Sequence, residues 1–374
     1  MFFRDIPGRV HIKRYLTTLV RQDRVPHAQL ITGQEGTGGL PLALALASYL
    51  LCTNRQEDDS CGHCPGCQKS HQLIHPDLHF SYPVFGADKT ATDEIKPWRQ
   101  QIRDNPYLNY QDWFMVLDGE NKQGNINVDE CRAIAKKLSL KSFESDKKIL
   151  ILWGAEFLGN EGNRLLKLIE EPEANTFIII LAEQSQRLLN TITSRCQLLA
   201  LRPFEDEEIA DFIRKNNPHL GDEEVRQITY ACQGNLREAL VLLQDEPGNL
   251  QELWYKWLGH AARGQTAQIM EINDQISALG REKSKQWLRV GLLFWRAVLV
   301  GRYRLPGSEL ADSKQTVAAE KLQYLVNNQH IFALIELFNG LFEAVERNAN
   351  LRILLCDTYL EVKNLLRQNL KTPV

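Results

Sequence analysis

Four of the eight cysteines fall close together, as Cys52, Cys61, Cys64 and Cys67 in a C-x8-C-x2-C-x2-C pattern. Thiolates bind zinc well, and four at tetrahedral distance close a structural site with no open position for catalysis. Each C-x2-C pair puts two sulfurs on one tight turn, and Gly62, Pro65 and Gly66 supply the turn chemistry. Cys52 supplies the distant ligand from the end of a helical stretch. The spacing matches none of the ferredoxin runs, so zinc is expected rather than an iron–sulfur cluster. His63, His71, His75 and His79 lie nearby, but four thiolates suffice, so packing or surface roles are expected for them. Cys131, Cys196, Cys232 and Cys356 are scattered and read as small buried hydrophobes.

A glycine loop, Gly33-Gln34-Glu35-Gly36-Thr37-Gly38-Gly39-Leu40, is the second candidate site. In the phosphate-binding pattern G-x-x-x-x-G-K-[ST], the lysine neutralises β- and γ-phosphates and the hydroxyl ligates magnesium. Gly33 and Gly38 fit the glycine positions, with Gly36 and Gly39 also in the loop. Gly39 stands where lysine should be and Leu40 where the hydroxyl should be. Glu35 would repel phosphate. Acidic residues that hold magnesium should end a nearby apolar strand. The run Ile149–Trp153 instead ends Trp153-Gly154-Ala155, and Glu156 reads as a helix-start or surface carboxylate. The residues predict a chain that does not hydrolyse ATP by itself.

Both sites need a frame. Short apolar runs at His27–Thr32, Trp113–Leu117, Ile149–Trp153, Phe177–Ala182 and Cys196–Leu201 read as strands. Separated by helical patterns, they predict a parallel sheet covered on both faces, an α/β domain. Between two of them, Asn160–Glu171 reads as a helix striped by Leu165, Leu166 and Ile169 and ended by Pro172. The polar stretches Phe80–Asp93 and Asp118–Asn127 read as surface insertion. After Arg202-Pro203 come three short helices, faced by Ile209, Phe212 and Ile213, by Val225 and Ile228, and by Leu236, Leu240 and Leu243. Pro247-Gly248 reads as a hinge. Beyond Asn249 every segment is helical in composition, with breaks at Gly280 and Pro306-Gly307. Trp287, Leu288, Leu292 and Trp295 share a helix face there. These helices are expected to carry oligomerisation; the alternative for the stripe is that it is only the domain's internal core. The predicted division is 1–202, 203–248 and 249–374.

Taken together, the glycine loop, the cysteine pattern after its helix, LLKLIEEPE (Leu165–Glu173), SRC (Ser194–Cys196) and GNLREAL (Gly234–Leu240) resemble the bacterial clamp-loader subunits of DNA polymerase III. INVDECR (Ile126–Arg132) also looks like the family's stretch before its central helix. The likeness runs well from Val25 to about Leu243, and beyond that only by composition and length. It departs from the compact family pattern between about Phe80 and Gly124, where this chain is longer. The missing lysine points to the delta-prime type rather than the ATP-hydrolysing tau/gamma type. The resemblance implies an AAA+ core, a helical lid, and a collar that joins five subunits into a ring. It also implies a rigid stator beside an ATPase subunit of a loader that places the sliding clamp on primed DNA. Tau/gamma and delta subunits would be its partners, within a DNA-directed DNA polymerase holoenzyme. In this context Arg195 is expected to serve a neighbour's ATP site in trans, since a guanidinium presents a planar fork to phosphate oxygens. By position alone, Arg195 precedes a strand and would lie near a sheet end where phosphates bind. Otherwise it is a surface arginine paired with a carboxylate. Arg237 matches the position called sensor 2, and without nucleotide reads as a structural charge.

Two other readings compete. One is an active ATPase subunit built on unusual residues. The other is a zinc-dependent nucleic-acid-binding module using Lys136, Lys137, Lys141, Lys147 and Lys148. A formal charge of −3 on 374 residues argues against gripping nucleic acid by bulk charge. With 43% apolar and 24% charged residues the composition is that of a globular chain. The apolar stretch Leu40–Cys52 is too short for a membrane span, and Leu288–Gly301 is broken by Arg289 and Arg296. No signal-peptide core is visible at the start, and a cytoplasmic location is expected.

Overall fold

The computed structural model describes residues 1–86, 88–119, 122–244, 249–302, 322, 326–346 and 349–369. The expected hinge at Pro247-Gly248 and break at Pro306-Gly307 lie outside these. The chain divides into two compact units, Met1–Phe212 with Gln233–Glu238, and Ile213–Cys232 with Ala239–Val374.

The first unit is built on five parallel strands in the order β2-β3-β4-β1-β5. They are β1 (Ala28–Thr32), β2 (Leu78–Ser81), β3 (Lys148–Trp153), β4 (Thr176–Ala182) and β5 (Gln197–Ala200). The central strands β3 and β4 are almost wholly buried, as their unbroken apolar runs require. β5 is an edge strand with Leu198 exposed. Around the sheet lie α1 (Val10–Arg21), α2 (Gly39–Leu51), α3 (Pro65–His71), α4 (Ile95–Asp104), α5 (Tyr110–Val116), α6 (Val128–Ser139), α7 (Leu166–Glu170) and α8 (Asn190–Thr193). The expected helix over Asn160–Glu171 is split. A 3-10 segment, Ala155–Leu165, turns at Gly159, and α7 follows. Leu165 and Ile169 are buried beneath β4 and β3 as the stripe predicts.

Two expectations about the segment 80–124 are corrected. Trp113–Leu117 is not a strand: Asn109 and Asp112 form a reciprocal cap that starts helix α5. That cap satisfies two orphan amides at once, which decides the local structure against the apolar run. Phe80–Asp93 and Asp118–Asn127 are surface loops only in part among the described residues. Tyr82, Val84, Ala91 and Ile126 are buried, and Tyr82 stacks on Trp98 at 4.0 Å. Trp113 is also buried, and its Nε1 donates to Pro83 O at 2.8 Å. The insertion carries an aromatic core of its own, which its polar loop residues conceal in the sequence. β2 falls in this region, a four-residue strand whose His79 and Ser81 break the apolar pattern.

The three short helices appear as α9 (Asp206–Asn216), α10 (Asp222–Cys232) and α11 (Leu236–Gln244). The rest is helical among the described residues: α12 (Asn249–Arg263), α13 (Thr266–Ala278), α14 (Arg281–Arg302), α15 (Asn328–Glu346) and α16 (Leu351–Asn369). The face formed by Trp287, Leu288 and Trp295 is not a free surface. All three are fully buried with Trp254, Trp257 and Phe338 in the core of the second unit. Bulky aromatics on one stripe fill a bundle interior as readily as an interface, and here the unit itself consumes them. Among the described residues, no helix is long and apolar enough to cross a membrane.

Candidate functional site

The cysteines come together as the spacing predicts. Cys52 ends α2, Cys64 caps α3, Cys67 lies inside α3, and Cys61 sits on the loop between. Pro65 at the first helical position fits a start where its missing N–H costs nothing. The four sulfurs lie within 4.8 Å of one another and form no disulfide. Cys61 Sγ is 3.8 Å from Cys67 Sγ, and Cys64 Sγ is 3.9 Å from Cys52 Sγ. A tetrahedron with metal–sulfur bonds of about 2.3 Å has edges of about 3.8 Å, so the donor set fits one metal ion. Backbone amides point at the sulfurs: Cys61 N at Cys52 Sγ, His63 N and Cys64 N at Cys61 Sγ, and Cys67 N at Cys64 Sγ, each at 3.4 Å. Such donors favour thiolate over thiol, and at Cys64 they prevail, whereas burial holds the Cys52 and Cys67 thiols up. Burial alone would raise the Cys64 thiol, but the Cys67 and Thr53 amides outweigh it and bring it down to about 6. No histidine joins the group. Burial pushes His71 and His79 down to about 4, and His71 packs edge-on against Phe2.

Asp59, between two of the cysteines, holds the cluster to the start of the chain. Its carboxylate accepts from Phe3 N at 3.1 Å, Arg4 N at 3.0 Å and Ser60 N at 2.8 Å. Sequence reading missed this residue because nothing in a short polar loop marks its partners.

The glycine loop lies where the sequence places it, between β1 and α2. Gly33 N donates to Ala182 O, and Gly38 caps α2 with φ +81°. Gly39 opens that helix. Gly36 has φ +70°, and a Cβ there would stand 1.7 Å from Asn235 Oδ1, so only glycine fits beside that side chain. The loop, β1 and β4 border a cleft also lined by Tyr107, Tyr110, Trp153 and Glu183. No lysine or arginine is among its described lining residues, whereas Glu35 and Glu183 are. Burial, with Glu35 and Glu156 nearby, holds the Glu183 carboxyl well above the usual range. Glu156 is at a helix start, as read, but it is not on the surface. Burial raises its carboxyl, and Oε1 accepts from Glu183 N at 3.1 Å.

Residues of the insertion close over this loop. Asn109 Nδ2 donates to Glu35 Oε2 at 2.8 Å, and Tyr107 borders Gly38. Arg237 is buried, with Asp112 taking its Nε and Nη2 at 2.7 and 2.6 Å and Glu238 taking Nη1 at 3.0 Å. Burial would lower the Arg237 guanidinium, but Asp112 outweighs it and raises it. It is the structural charge the sequence suggests. The insertion residues Tyr107, Asn109 and Asp112 went unread as site residues; the Asn-x-x-Asp cap was the available signal.

Arg195 lies on the turn between α8 and β5, half-exposed, bonded to Glu170 and through Nη1 to Thr191 O at 2.8 Å. Its position corrects one expectation. β5 runs parallel to β1 with Gln197 beside Gln29, so Arg195 precedes the amino end of the sheet. The glycine loop follows the carboxyl end of β1, and Arg195 therefore cannot reach it. The lysine patch is also smaller than it reads. Lys148 is buried with its ammonium on Leu138 O and Leu140 O, Lys137 bonds Thr92, and Lys147 pairs with Asp146. Of the lone cysteines, Cys131 and Cys232 are buried and Cys196 and Cys356 are half-buried.

The family model described as DNA polymerase III, delta subunit, matches residues 8–205. The DNA polymerase III subunit delta' of Bacillus subtilis (strain 168) is 28% identical over 342 residues, covering 87% of this chain and 88% of that protein. The DNA polymerase III subunit delta' of Escherichia coli (strain K12) is 30% identical over 178 residues, or 47% of this chain and 42% of that protein. A DNA polymerase III subunit gamma from Buchnera aphidicola is 26% identical, covering 65% of this chain and 58% of that protein.

Proposed function

Because the chain belongs to the DNA polymerase III delta subunit family, we propose that it is the non-hydrolysing, delta-prime-type stator of a bacterial clamp loader. In this reading residues 1–202 form an AAA+ core, residues 203–248 a lid, and residues 249–374 a collar that binds neighbouring subunits. Tau/gamma and delta subunits are its direct partners. The sliding clamp and primed DNA are reached through the assembled ring, in the cytoplasm.

The observation that carries the non-hydrolysing part is the charge of the cleft. ATP brings several negative charges, and catalysis needs cations that neutralise them as the transition state forms. Here Gly39 and Leu40 replace the lysine and hydroxyl, Trp153 and Gly154 replace the acidic magnesium ligands, and Glu35 sits within the loop with no lysine or arginine among the described residues lining the cleft beside it. Arg237 is already paired with Asp112. Zinc is the ion proposed for the four cysteines, as a structural centre: four thiolates leave no coordination position for a reacting water. Arg195 is proposed to act on the γ-phosphate held by a neighbour. Its place at the far end of the sheet from its own cleft supports a role in trans, and its bond to Glu170 keeps the side chain at that end.

Purified chain with magnesium and ATP is therefore expected to give phosphate release no faster than a protein-free blank. Turnover that disappears in a Gly38→Ala variant would show an active site built on unusual residues and would overturn this part of the proposal.

A further inference from the structure

Arg237 is 2% exposed, yet its guanidinium is fully engaged. Its Nε and Nη2 face the two oxygens of Asp112 at 2.7 and 2.6 Å. This two-pronged edge is how arginine takes a free carboxylate or a phosphate. Asp112 comes from α5 in the insertion, whereas Arg237 sits one residue into α11. The residues just before Arg237 grip the glycine loop. Leu236 N donates to Gly36 O at 3.1 Å, and Asn235 Nδ2 donates to Glu35 Oε1 at 3.3 Å. The stretch Asn235–Arg237 thus holds the loop on one side and α5 on the other.

The geometry points to an anion site on Arg237 whose ligand is built into the chain: the Asp112 carboxylate takes the place of an exogenous carboxylate- or phosphate-type anion. Asn235–Arg237 is then fixed against the glycine loop without any nucleotide. The insertion between about 80 and 124 thereby acquires a role, since it delivers the ligand. This rests on the reading of residues 33–39 as a loop that takes no nucleotide of its own.

Two features separate an internal ligand from an ordinary ion pair. Asp112 also closes the Asn109 cap, accepting from Asn109 N at 3.0 Å, so its own helix start holds the carboxylate in place. The pair is buried, with Asp112 side chain 17% exposed and Arg237 3%, so solvent and salt screen it weakly. Leaving one partner of a buried pair alone is strongly destabilising.

The test is chemical rescue on the full-length chain, with no ATP, clamp or partner present. Asp112→Ala removes a carboxylate the size of formate. Its Tm is expected to fall on the order of 10 °C. Sodium formate at high millimolar concentration should recover part of that loss, where sodium chloride at equal ionic strength does not. Adding Arg237→Gln should abolish the formate effect. Asp112→Asn keeps the shape and still fills the position, so it should lose stability and ignore formate. An Asp112→Ala protein that responds equally to formate and chloride, or an Asp112→Asn protein as stable as the wild type, would overturn the assignment. Either result would leave the proposed subunit role standing, because that role is read from ring assembly and turnover.

Discussion

Tag-free protein purified from cells is expected to carry one zinc per chain, and stripping it should unfold the region from Cys52 to His71. A structural zinc site is absent in the unfolded chain, so its binding free energy is folding free energy, on the order of 10 kcal/mol at neutral pH in small zinc peptides. Besides the ion, the loop from residue 53 to 64 is held by a few hydrogen bonds, from Phe3 N and Arg4 N to Asp59, from Arg55 to Tyr49 O and Leu50 O, and from Tyr49 Oη to Gln56 O. Its residues are largely exposed apart from Asp59 and Ser60. A Cys64→Ser variant should lose the ion, the Asp59 grip on Phe3 and Arg4, and protection from protease at this loop. The five-strand sheet contains none of these residues, so its far-ultraviolet signal and its melting should persist at a lower temperature. Metal analysis with limited proteolysis reads both outcomes. Absence of stoichiometric zinc, or a Cys64→Ser protein as protease-resistant as the wild type, would contradict the centre.

Arg195→Ala is expected to leave zinc content and ring assembly unchanged while lowering clamp- and DNA-stimulated ATP turnover. A forked cation on the transferring phosphoryl group is worth roughly a thousandfold or more at the site it serves. Only the one site facing this subunit would be affected, so total turnover by the ring falls by less. Clamp loading, which needs the sites to act together, falls further. Arg195→Lys should rescue poorly, because an ammonium is a point charge without the fork. In the free chain Arg195 is bonded to Glu170, so assembly must exchange that carboxylate for phosphate. Rings carrying the Ala variant with wild-type turnover and loading would make Arg195 a surface ion pair and nothing more.

How far the sequence could be read depended on the range of the interaction. β1, β3 and β4 are legible because each is a short run whose burial on both faces leaves one pattern, whereas the largely exposed edge strand β5 is legible from its apolar run alone. The cysteine centre is legible because its ligands are local, three of them within one loop and helix start. The insertion was opaque for the opposite reason. Trp98, Trp113 and Tyr82 pack together at ring separations of 4.0 to 5.3 Å across long stretches of polar chain. The run Trp113–Leu117 looked like a strand because apolar content alone does not distinguish periods, and a four-residue cap outvoted it. The pairing of Asp112 with Arg237, 125 positions apart, leaves no local signature at all. Likewise the stripe of Trp287, Leu288 and Trp295 predicts burial without saying what buries it.

The most direct measurement mixes the full-length chain with tau/gamma and delta subunits and weighs what forms. One stable ring containing this chain is expected, with loading lost when the chain is left out. A chain that elutes as a monomer from that mixture, with clamp loading unchanged by its presence, would contradict the assignment of this protein to the loader.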